Sequence, residues 1–249
     1  MFPYKDDNPT LRRPLVTYCI IAANLATWIF LQGAGTEPAL VRSICALGLV
    51  PLEILGAATD GAMVRLGPDA VCELQAQPPW HTVLTSMFMH GGWAHILGNL
   101  WFLWIFGNNV EDAMGRVRFV VFYLLCGVAA AAAQVAATPD SPIPMVGASG
   151  AIGGVMGAYV VLYPRVRVHL LVVLGIFITT IRIPAYFMLG YWILLQLFGT
   201  VFATEGGGVA FWAHVGGFVA GAALVWPFKN EELVRAHRRA LSYATGFRG

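Results

Sequence analysis

The chain has 249 residues, of which 58% are hydrophobic and only 11% are charged, and its mean hydropathy is +0.69. A soluble domain of this length carries roughly a quarter charged residues, so this composition argues against a soluble enzyme and is typical of a chain surrounded by lipid. The net charge is only +2 and the arginines are scattered, which argues against a nucleic-acid-binding groove.

Six apolar segments can cross a bilayer, with some latitude for short or tilted helices. In chain order they cover residues 15–31, 82–106, 117–137, 150–163, 185–203 and 209–226. We therefore predict an all-α polytopic membrane protein that forms a single membrane-embedded domain over residues 1–249. A long polar loop, about 32–81, follows the first span, and short tails cover about 1–14 and 228–249. We interpret the first segment as a span because no A-x-A signal cleavage site follows it.

The basic residues orient these spans. If both termini are cytoplasmic, all lysines and arginines except Arg42 and Arg65 lie on the cytoplasmic side, as the positive-inside rule requires. A further apolar run at 168–181 is short for a span, and Arg165, Arg167 and Arg182 flank it. We predict that this run is an interfacial or re-entrant segment that returns to the side from which it enters.

The four cysteines have no metal-binding spacing. Cys19 and Cys126 fall within spans and are predicted to be small apolar fillers. Cys45 and Cys72 share the first loop, where oxidising conditions could join them in a disulfide. Free thiols are the default expectation for this pair.

Polar residues lie near the start of the second, fourth and sixth spans. The second span carries His90, His95 and Asn99, and the last two share one helical face because they are four residues apart. The fourth span opens with the sequence GASG around Ser149, and the sixth contains His214. Taken singly, each residue has an ordinary structural interpretation as a turn or helix-packing residue. Together, at one depth in the membrane, these costly groups indicate a functional site.

Small residues recur at a spacing of four in the fourth and sixth spans. They are Gly150, Gly154 and Ala158 together with Gly153 and Gly157 in the fourth span, and Ala213, Gly217 and Gly221 in the sixth. Such faces let two helix backbones approach closely in lipid. If the two faces meet, Ser149 and His214 come within hydrogen-bond distance as a nucleophile and its general base.

Acyl transfer also needs donors for the developing oxyanion. Three candidates are the backbone N–H of Ser149, the amide of Asn99 and the imidazole of His95. Ser149 begins a helix, where free N–H groups and the positive end of the dipole favour negative charge. No acidic residue is placed to orient His214, so a Ser-His dyad is predicted in preference to a triad.

These motifs resemble those of the rhomboid family of intramembrane serine proteases. The residues 147–150 match its GxSG motif, His90, His95 and Asn99 match its second-helix pattern, and the AHxxG motif surrounds His214. The residues 111–115 resemble the ExxxG that follows the second helix. The pair at 80–81 resembles a Trp-Arg pair of the first loop, with histidine in place of arginine. The likeness covers roughly residues 15–227.

The resemblance implies a six-helix core with Ser149 as nucleophile, His214 as base, and an oxyanion hole formed by His95, Asn99 and the Ser149 N–H. It implies supporting roles for residues around the site, namely His90, Gly147, Gly150, Gly217 and Glu111. It also implies no cofactor and no metal.

The implied partners are the lipid bilayer and the transmembrane segments of substrate proteins, in a bacterial inner membrane with the site toward the outer face. Some family members stack an aromatic ring on the catalytic histidine at the position of Gly153, so His214 must be oriented in another way here. Two other functions stay open, an inactive relative that binds membrane proteins and a transporter whose path is lined by polar residues.

Overall fold

The computed structural model describes residues 2–67, 70–174, 177–202 and 209–245. Ala203, the predicted end of the fifth span, and residues 246–249 of the predicted tail lie outside the described residues. The elements in chain order are β1 (Phe2–Asp6), α1 (Leu15–Ala26), α2 (Ala39–Leu47), α3 (Pro51–Ile54), β2 (Met63–Arg65), β3 (Val71–Glu73), α4 (Thr82–Thr85), α5 (Trp93–Met114), α6 (Arg116–Ala137), α7 (Ser149–Leu162), β4 (Arg167–Leu174), β5 (Phe177–Pro184), α8 (Ala185–Phe202), α9 (Phe211–Phe228) and α10 (Glu231–Thr245).

Apolar helices dominate the described part of the chain. Three of them, α6, α8 and α9, are long and apolar enough to cross a membrane, and α7 is a shorter apolar helix. The helix α1 continues into a π-helical turn at Thr27–Leu31, so the two together have the bounds predicted for the first span. Five predicted spans therefore have a helix within two residues of the expected start, and the number of membrane crossings stays a prediction.

The predicted second span is wrong in its bounds. Two short turns, Thr82–Thr85 and Ser86–Phe88, precede a break, and the long helix begins only at Trp93. Two consecutive glycines lie just before Trp93, and glycine is a poor helix former. The helix then continues to Met114, well past the predicted end at residue 106.

The described part of the chain is mostly helical, as predicted, but it also contains two small antiparallel sheets that the sequence did not predict. The predicted re-entrant run at 168–181 forms the hairpin of β4 and β5, and β1 pairs with the other edge of β4 in the order β1–β4–β5. Residues 175–176, between the two strands, lie outside the described residues. The run is rich in valine and isoleucine, which favour strands, and β1 supplies a pairing partner from the predicted tail.

The loop after α1 is ordered by a covalent bond. Cys45 in α2 and Cys72 in β3 form a disulfide across a sequence separation of 27 residues. The strands β2 and β3 pair as the second antiparallel sheet. The default expectation of free thiols at these two positions is therefore wrong, and the loop is a cross-linked subdomain.

The most buried helix is α7, and α9 lies directly against it. A Cβ atom added at Gly217 would overlap the carbonyl oxygen of Gly150, and one at Gly221 would overlap that of Gly154. Deeper along α7, a Cβ atom at Gly157 would overlap the carbonyl oxygen of Phe218. The close approach predicted from the spacing of small residues is therefore present, and it extends along most of α7.

Carboxylates gather at the end of the bundle opposite Ser149. The carboxylate of Glu111 accepts hydrogen bonds from the backbone N–H groups of Val16 (3.1 Å) and Thr17 (2.8 Å) and from the Thr17 hydroxyl (2.8 Å). These donors belong to the first turn of α1, which Pro14 precedes without a side-chain cap. Glu111 therefore caps α1 from another helix.

Candidate active site

Ser149 and His214 are adjacent. Ser149 is the first residue of α7, and His214 lies in the first turn of α9. The Nε2 atom of His214 is 2.7 Å from the Oγ atom of Ser149, which is a short hydrogen bond. The two first turns meet because Gly150 and Gly217 lie at the contact between their helices.

Gly147 shapes the turn that delivers Ser149 to the site. Its φ angle is +125°, a conformation that residues with a Cβ atom rarely adopt. A Cβ atom at Gly147 would lie 2.6 Å from the Nε2 atom of His95. The chain entering α7 therefore passes directly against the His95 imidazole, and only glycine fits there.

His95 and Asn99 carry donors that face the same region. The Nδ1 atom of His95 accepts a hydrogen bond from the N–H of Gly91 at 3.3 Å, so the proton of the neutral ring is on Nε2, the atom beside Gly147. The Nδ2 atom of Asn99 is buried and has no hydrogen-bond partner among the described residues. Each side chain therefore has an N–H group that donates no hydrogen bond to the described residues.

These four side chains line one cavity of about 690 Å³. Much of the remaining lining is apolar and includes Met87, Phe102 and Trp192. Among the described residues that line the cavity there is no carboxylate. The arrangement thus combines a hydroxyl, an imidazole and free amide-type donors in an apolar chamber, which suits nucleophilic attack on a carbonyl.

His90 packs against His95. Its backbone N–H and carbonyl both bond to the side-chain amide of Gln32, each at 2.8 Å. Its ring is fully buried and meets the ring of His95 edge-on, with 5.1 Å between centroids. Glu111, which the resemblance also associates with the site, lies at the other end of α5 as the cap of α1.

Two glutamines at the site were missed in the sequence. The Oε1 atom of Gln196, on α8, is 2.7 Å from the Nδ1 atom of His214. The Oε1 atom of Gln134, on α6, accepts a hydrogen bond from the N–H of Ala213 at 3.2 Å. Each is the only amide side chain in a largely apolar helix. Because a polar group within a membrane is costly, these isolated glutamines could have been recognised in the sequence as candidate site residues.

The fold and this site define a member of a known class of membrane protein. The model of the rhomboid domain matches residues 77–231 of the chain, a stretch that contains Ser149, His214, His95 and Asn99. The chain belongs to the rhomboid family. With its long apolar helices, it is an integral membrane protein.

Several known proteins are similar to parts of the chain. The rhomboid protease GluP of Bacillus subtilis is 35% identical over 139 residues, 55% of this chain and 27% of GluP. The chloroplastic rhomboid-like protein 11 of Arabidopsis thaliana is 39% identical over 77 residues, 31% of this chain and 27% of that protein. The putative rhomboid protease YdcA of Bacillus subtilis is 31% identical over 84 residues, 34% of this chain and 42% of YdcA. The chain thus matches less than half the length of each of these relatives.

Proposed function

We propose that the protein is an intramembrane serine endopeptidase that hydrolyses peptide bonds in or near the transmembrane segments of other membrane proteins. The observation that carries the proposal is the 2.7 Å contact between Ser149 Oγ and His214 Nε2, inside a cavity that His95 and Asn99 also line. Similarity to relatives named as rhomboid proteases supports the same reaction class.

The first half of the reaction forms an acyl-enzyme. The Oγ atom of Ser149 attacks the carbonyl carbon of the scissile peptide while its proton moves to Nε2 of His214. The carbonyl π electrons move onto oxygen and give a tetrahedral oxyanion. As the C–N bond breaks, Nε2 gives the proton to the departing amine nitrogen, and the acyl group stays esterified to Ser149.

The second half releases the acyl group. A water molecule gives a proton to Nε2 of His214 as its oxygen attacks the ester carbonyl. When the bond between carbon and Oγ breaks, Nε2 returns the proton to Oγ. The products are a carboxylic acid and the regenerated hydroxyl of Ser149, so the cycle consumes one water for each peptide bond.

The negative oxygen in both halves needs donors. We assign them as the N–H of Ser149, the Nε2–H of His95 and the Nδ2–H of Asn99. The last two are free in the part of the chain that the structure describes, so they can bond the oxyanion without first breaking another bond. Preorganised donors of this kind stabilise the transition state without reorganisation at the moment of reaction.

We further propose the membrane arrangement expected from the sequence. Six spans with both termini in the cytoplasm place Ser149 toward the outer face of a bacterial inner membrane, because the basic residues then follow the positive-inside rule. The substrate approaches from within the bilayer, and the chemistry requires no metal and no cofactor.

Cleavage of a reporter membrane protein in proteoliposomes tests the proposal. We expect Ser149→Ala and His214→Ala to abolish cleavage while the proteins keep their melting temperature. A serine-directed fluorophosphonate should label the wild type and not Ser149→Ala. The control is Ser242→Ala, which changes a partly exposed α10 serine whose hydroxyl donates a hydrogen bond to the Arg239 carbonyl oxygen.

Cleavage by Ser149→Ala at the wild-type rate would contradict the proposal. A wild-type protein that co-purifies with the reporter and never cuts it would instead indicate an inactive binding protein, and reporter-independent solute flux through the liposomes would indicate a transporter.

A further inference from the structure

We propose that Gln196 is a positioning residue for His214, so that the catalytic group is a line of three side chains: Ser149, His214 and Gln196. The inference rests on the proposed function, because it names the residue that orients the base of that reaction. It also supplies what the sequence leaves open, namely how His214 is held when position 153 is glycine.

The orientation of the Gln196 amide is fixed by its second partner. Its Nε2 atom donates a hydrogen bond to the carbonyl oxygen of Trp192 at 3.2 Å. A carbonyl oxygen can only accept, so the NH₂ group of the amide must lie on that side. The oxygen of the amide is therefore the atom that faces His214, at 2.7 Å from Nδ1.

This orientation determines the tautomer of His214. An amide oxygen can only accept, so Nδ1 of His214 carries the proton and donates it to Oε1 of Gln196. The Nε2 atom of the neutral ring is then unprotonated and accepts the hydroxyl proton of Ser149 across 2.7 Å. That is the tautomer a general base needs. The opposite tautomer would leave Nε2 with no lone pair for the proton.

The same helix also supplies an aromatic contact. The ring of Trp192, one turn before Gln196, lies 5.7 Å from the ring of His214, centroid to centroid. A Cβ atom at Gly153 would lie 3.8 Å from Trp192 and only 3.1 Å from the His214 carbonyl oxygen. Because α7 and α9 approach so closely at Gly153, the groups that hold the imidazole come from α8.

An amide fits this location better than a carboxylate would. A carboxylate at position 196 would stabilise the imidazolium more strongly, but burying its charge in an apolar helix is unfavourable. The neutral oxygen of Gln196 fixes the tautomer and the ring plane without that cost. Gln196 neither takes nor gives a proton during the reaction, so its effect operates through His214.

Kinetics of three variants test the proposal. We expect Gln196→Met, which keeps the length and removes the acceptor, to lower kcat at least about 10-fold with little change in KM. The upper limit is the roughly 10⁴-fold that a wrong tautomer costs in a Ser-His-Asp triad. The control is Thr200→Val, one turn further along α8, whose hydroxyl bonds the Leu197 carbonyl and should be dispensable.

Gln196→Glu separates positioning from a structural role. A carboxylate beside Nδ1–H favours the protonated imidazole, which cannot accept the proton of Ser149. We therefore expect the acid limb of its pH–rate profile to move to higher pH by about one unit or more. A residue that only packs α8 against α9 would lower stability and leave that limb in place.

Nitrogen NMR of isotope-labelled histidine gives a readout that does not depend on activity. With His214 assigned by comparison with His214→Ala, we expect the Nδ1–H tautomer in the wild type and a shift toward Nε2–H in Gln196→Met. Wild-type kcat, pH profile and tautomer in both Gln196 variants would overturn this inference alone. A wild type that neither cleaves nor reacts with fluorophosphonate would overturn the proposed function, and the NMR comparison would still test Gln196.

Discussion

The two ends of the helix bundle handle polar groups in opposite ways. At the Ser149 end the groups are neutral, and two of them, Asn99 Nδ2 and His95 Nε2, have no hydrogen-bond partner among the described residues. At the opposite end, two carboxylates are held by hydrogen bonds to distant parts of the chain. Both carboxylate oxygens of Glu111 accept hydrogen bonds, and so do both of Asp112.

We interpret the unpartnered donors near Ser149 as groups that serve the proposed reaction, and the bonded carboxylates as groups that stabilise the fold. A buried donor without a partner costs free energy in the resting protein, and under the proposed function the donors of Asn99 and His95 offset that cost by bonding the oxyanion. A carboxylate held by several hydrogen bonds from one helix terminus is fixed in place, and its value lies in joining distant parts of the chain. The predictions below test this contrast, from the largest expected effect to the smallest.

The largest effect should follow the substitution Gly217→Ala. The added methyl group would overlap the carbonyl oxygen of Gly150, and a backbone atom cannot rotate away as a side chain can. A displacement of about 1 Å at a reacting pair can cost about 10²-fold in rate, so we expect at least that loss in cleavage. The control is Gly190→Ala on α8, where a Cβ atom would meet nothing within 4 Å. Equal rates for Gly217→Ala and the wild type would show that this contact does not align the site.

A second large effect is expected at Asn99. Asn99→Ala should lower kcat by about 10²–10³-fold, the usual cost of one oxyanion donor, with KM nearly unchanged because the donor acts in the transition state. Its matched control is Asn108→Ala, on the same helix, whose amide bonds the hydroxyl of Thr10 near the opposite end. If the two variants lose the same activity, the contrast between the ends is wrong.

Glu111 should give the reverse result. Glu111→Ala leaves the N–H groups of Val16 and Thr17 without their acceptor, and we expect a loss of about 1–3 kcal/mol in the free energy of unfolding. The rate of the folded fraction should stay within about twofold of the wild type, since the loss is one of stability. Thermal melts in detergent together with active-site titration measure both quantities, and Glu232→Ala on the exposed face of α10 is the control. A stable but slow Glu111→Ala protein would contradict this assignment.

The smallest effect concerns pH and the strand β1. Burial raises the pKa of Asp6 to about 7, against a hydrogen bond from the hydroxyl of Tyr159 that lowers it. The folded state then holds a proton that the unfolded state releases near its ordinary pKa, so this group's contribution to stability is lost as pH rises from about 4 through 7. We expect Asp6→Asn to remove this dependence. The difference in melting temperature between the variant and the wild type should therefore be a few degrees larger, in favour of the variant, at pH 8 than at pH 5.

His237 also contributes to the pH dependence, so the comparison of the two proteins isolates Asp6. Burial lowers the pKa of His237 to about 4, an effect of opposite sign on stability. His237 is present in the wild type and in the variant. Parallel melting curves of the two proteins across this range would contradict the role of Asp6.

The apolar helices and the contact between Ser149 and His214 could be predicted because the signals for them lie in local sequence. Apolar runs of the right length predicted α1, α6, α7, α8 and α9, and glycines four residues apart predicted which faces meet. The contact continues to Gly157, where an added Cβ atom would also overlap the backbone of α9. A bulky residue at Gly157 is therefore expected to be as disruptive as one nearer the site.

The remaining features depend on contacts between distant segments. The strand β1 pairs with β4 across more than 160 residues, as Phe2 faces Leu171, and nothing in the first six residues indicates that partner. The bond from Gln196 to His214 depends on how α8 is rotated about its axis, which an apolar sequence does not specify. The helix α5 begins at Trp93 because the chain breaks just before it. The two glycines allow this break, but only contacts with the rest of the protein determine that it forms.

The contact between α7 and α9 has a consequence for the history of the gene. Every missense change of a glycine codon adds at least a methyl group, and at Gly217 and Gly221 even a methyl group would enter the backbone of the facing helix. No single-base missense change at either codon therefore gives a residue that fits without moving the facing helix. A leucine-rich core can change by small steps between side chains of similar size, but this surface cannot. A larger residue on one helix would require a compensating change on the other. We therefore expect substitutions to accumulate more slowly at these glycines than elsewhere in the chain.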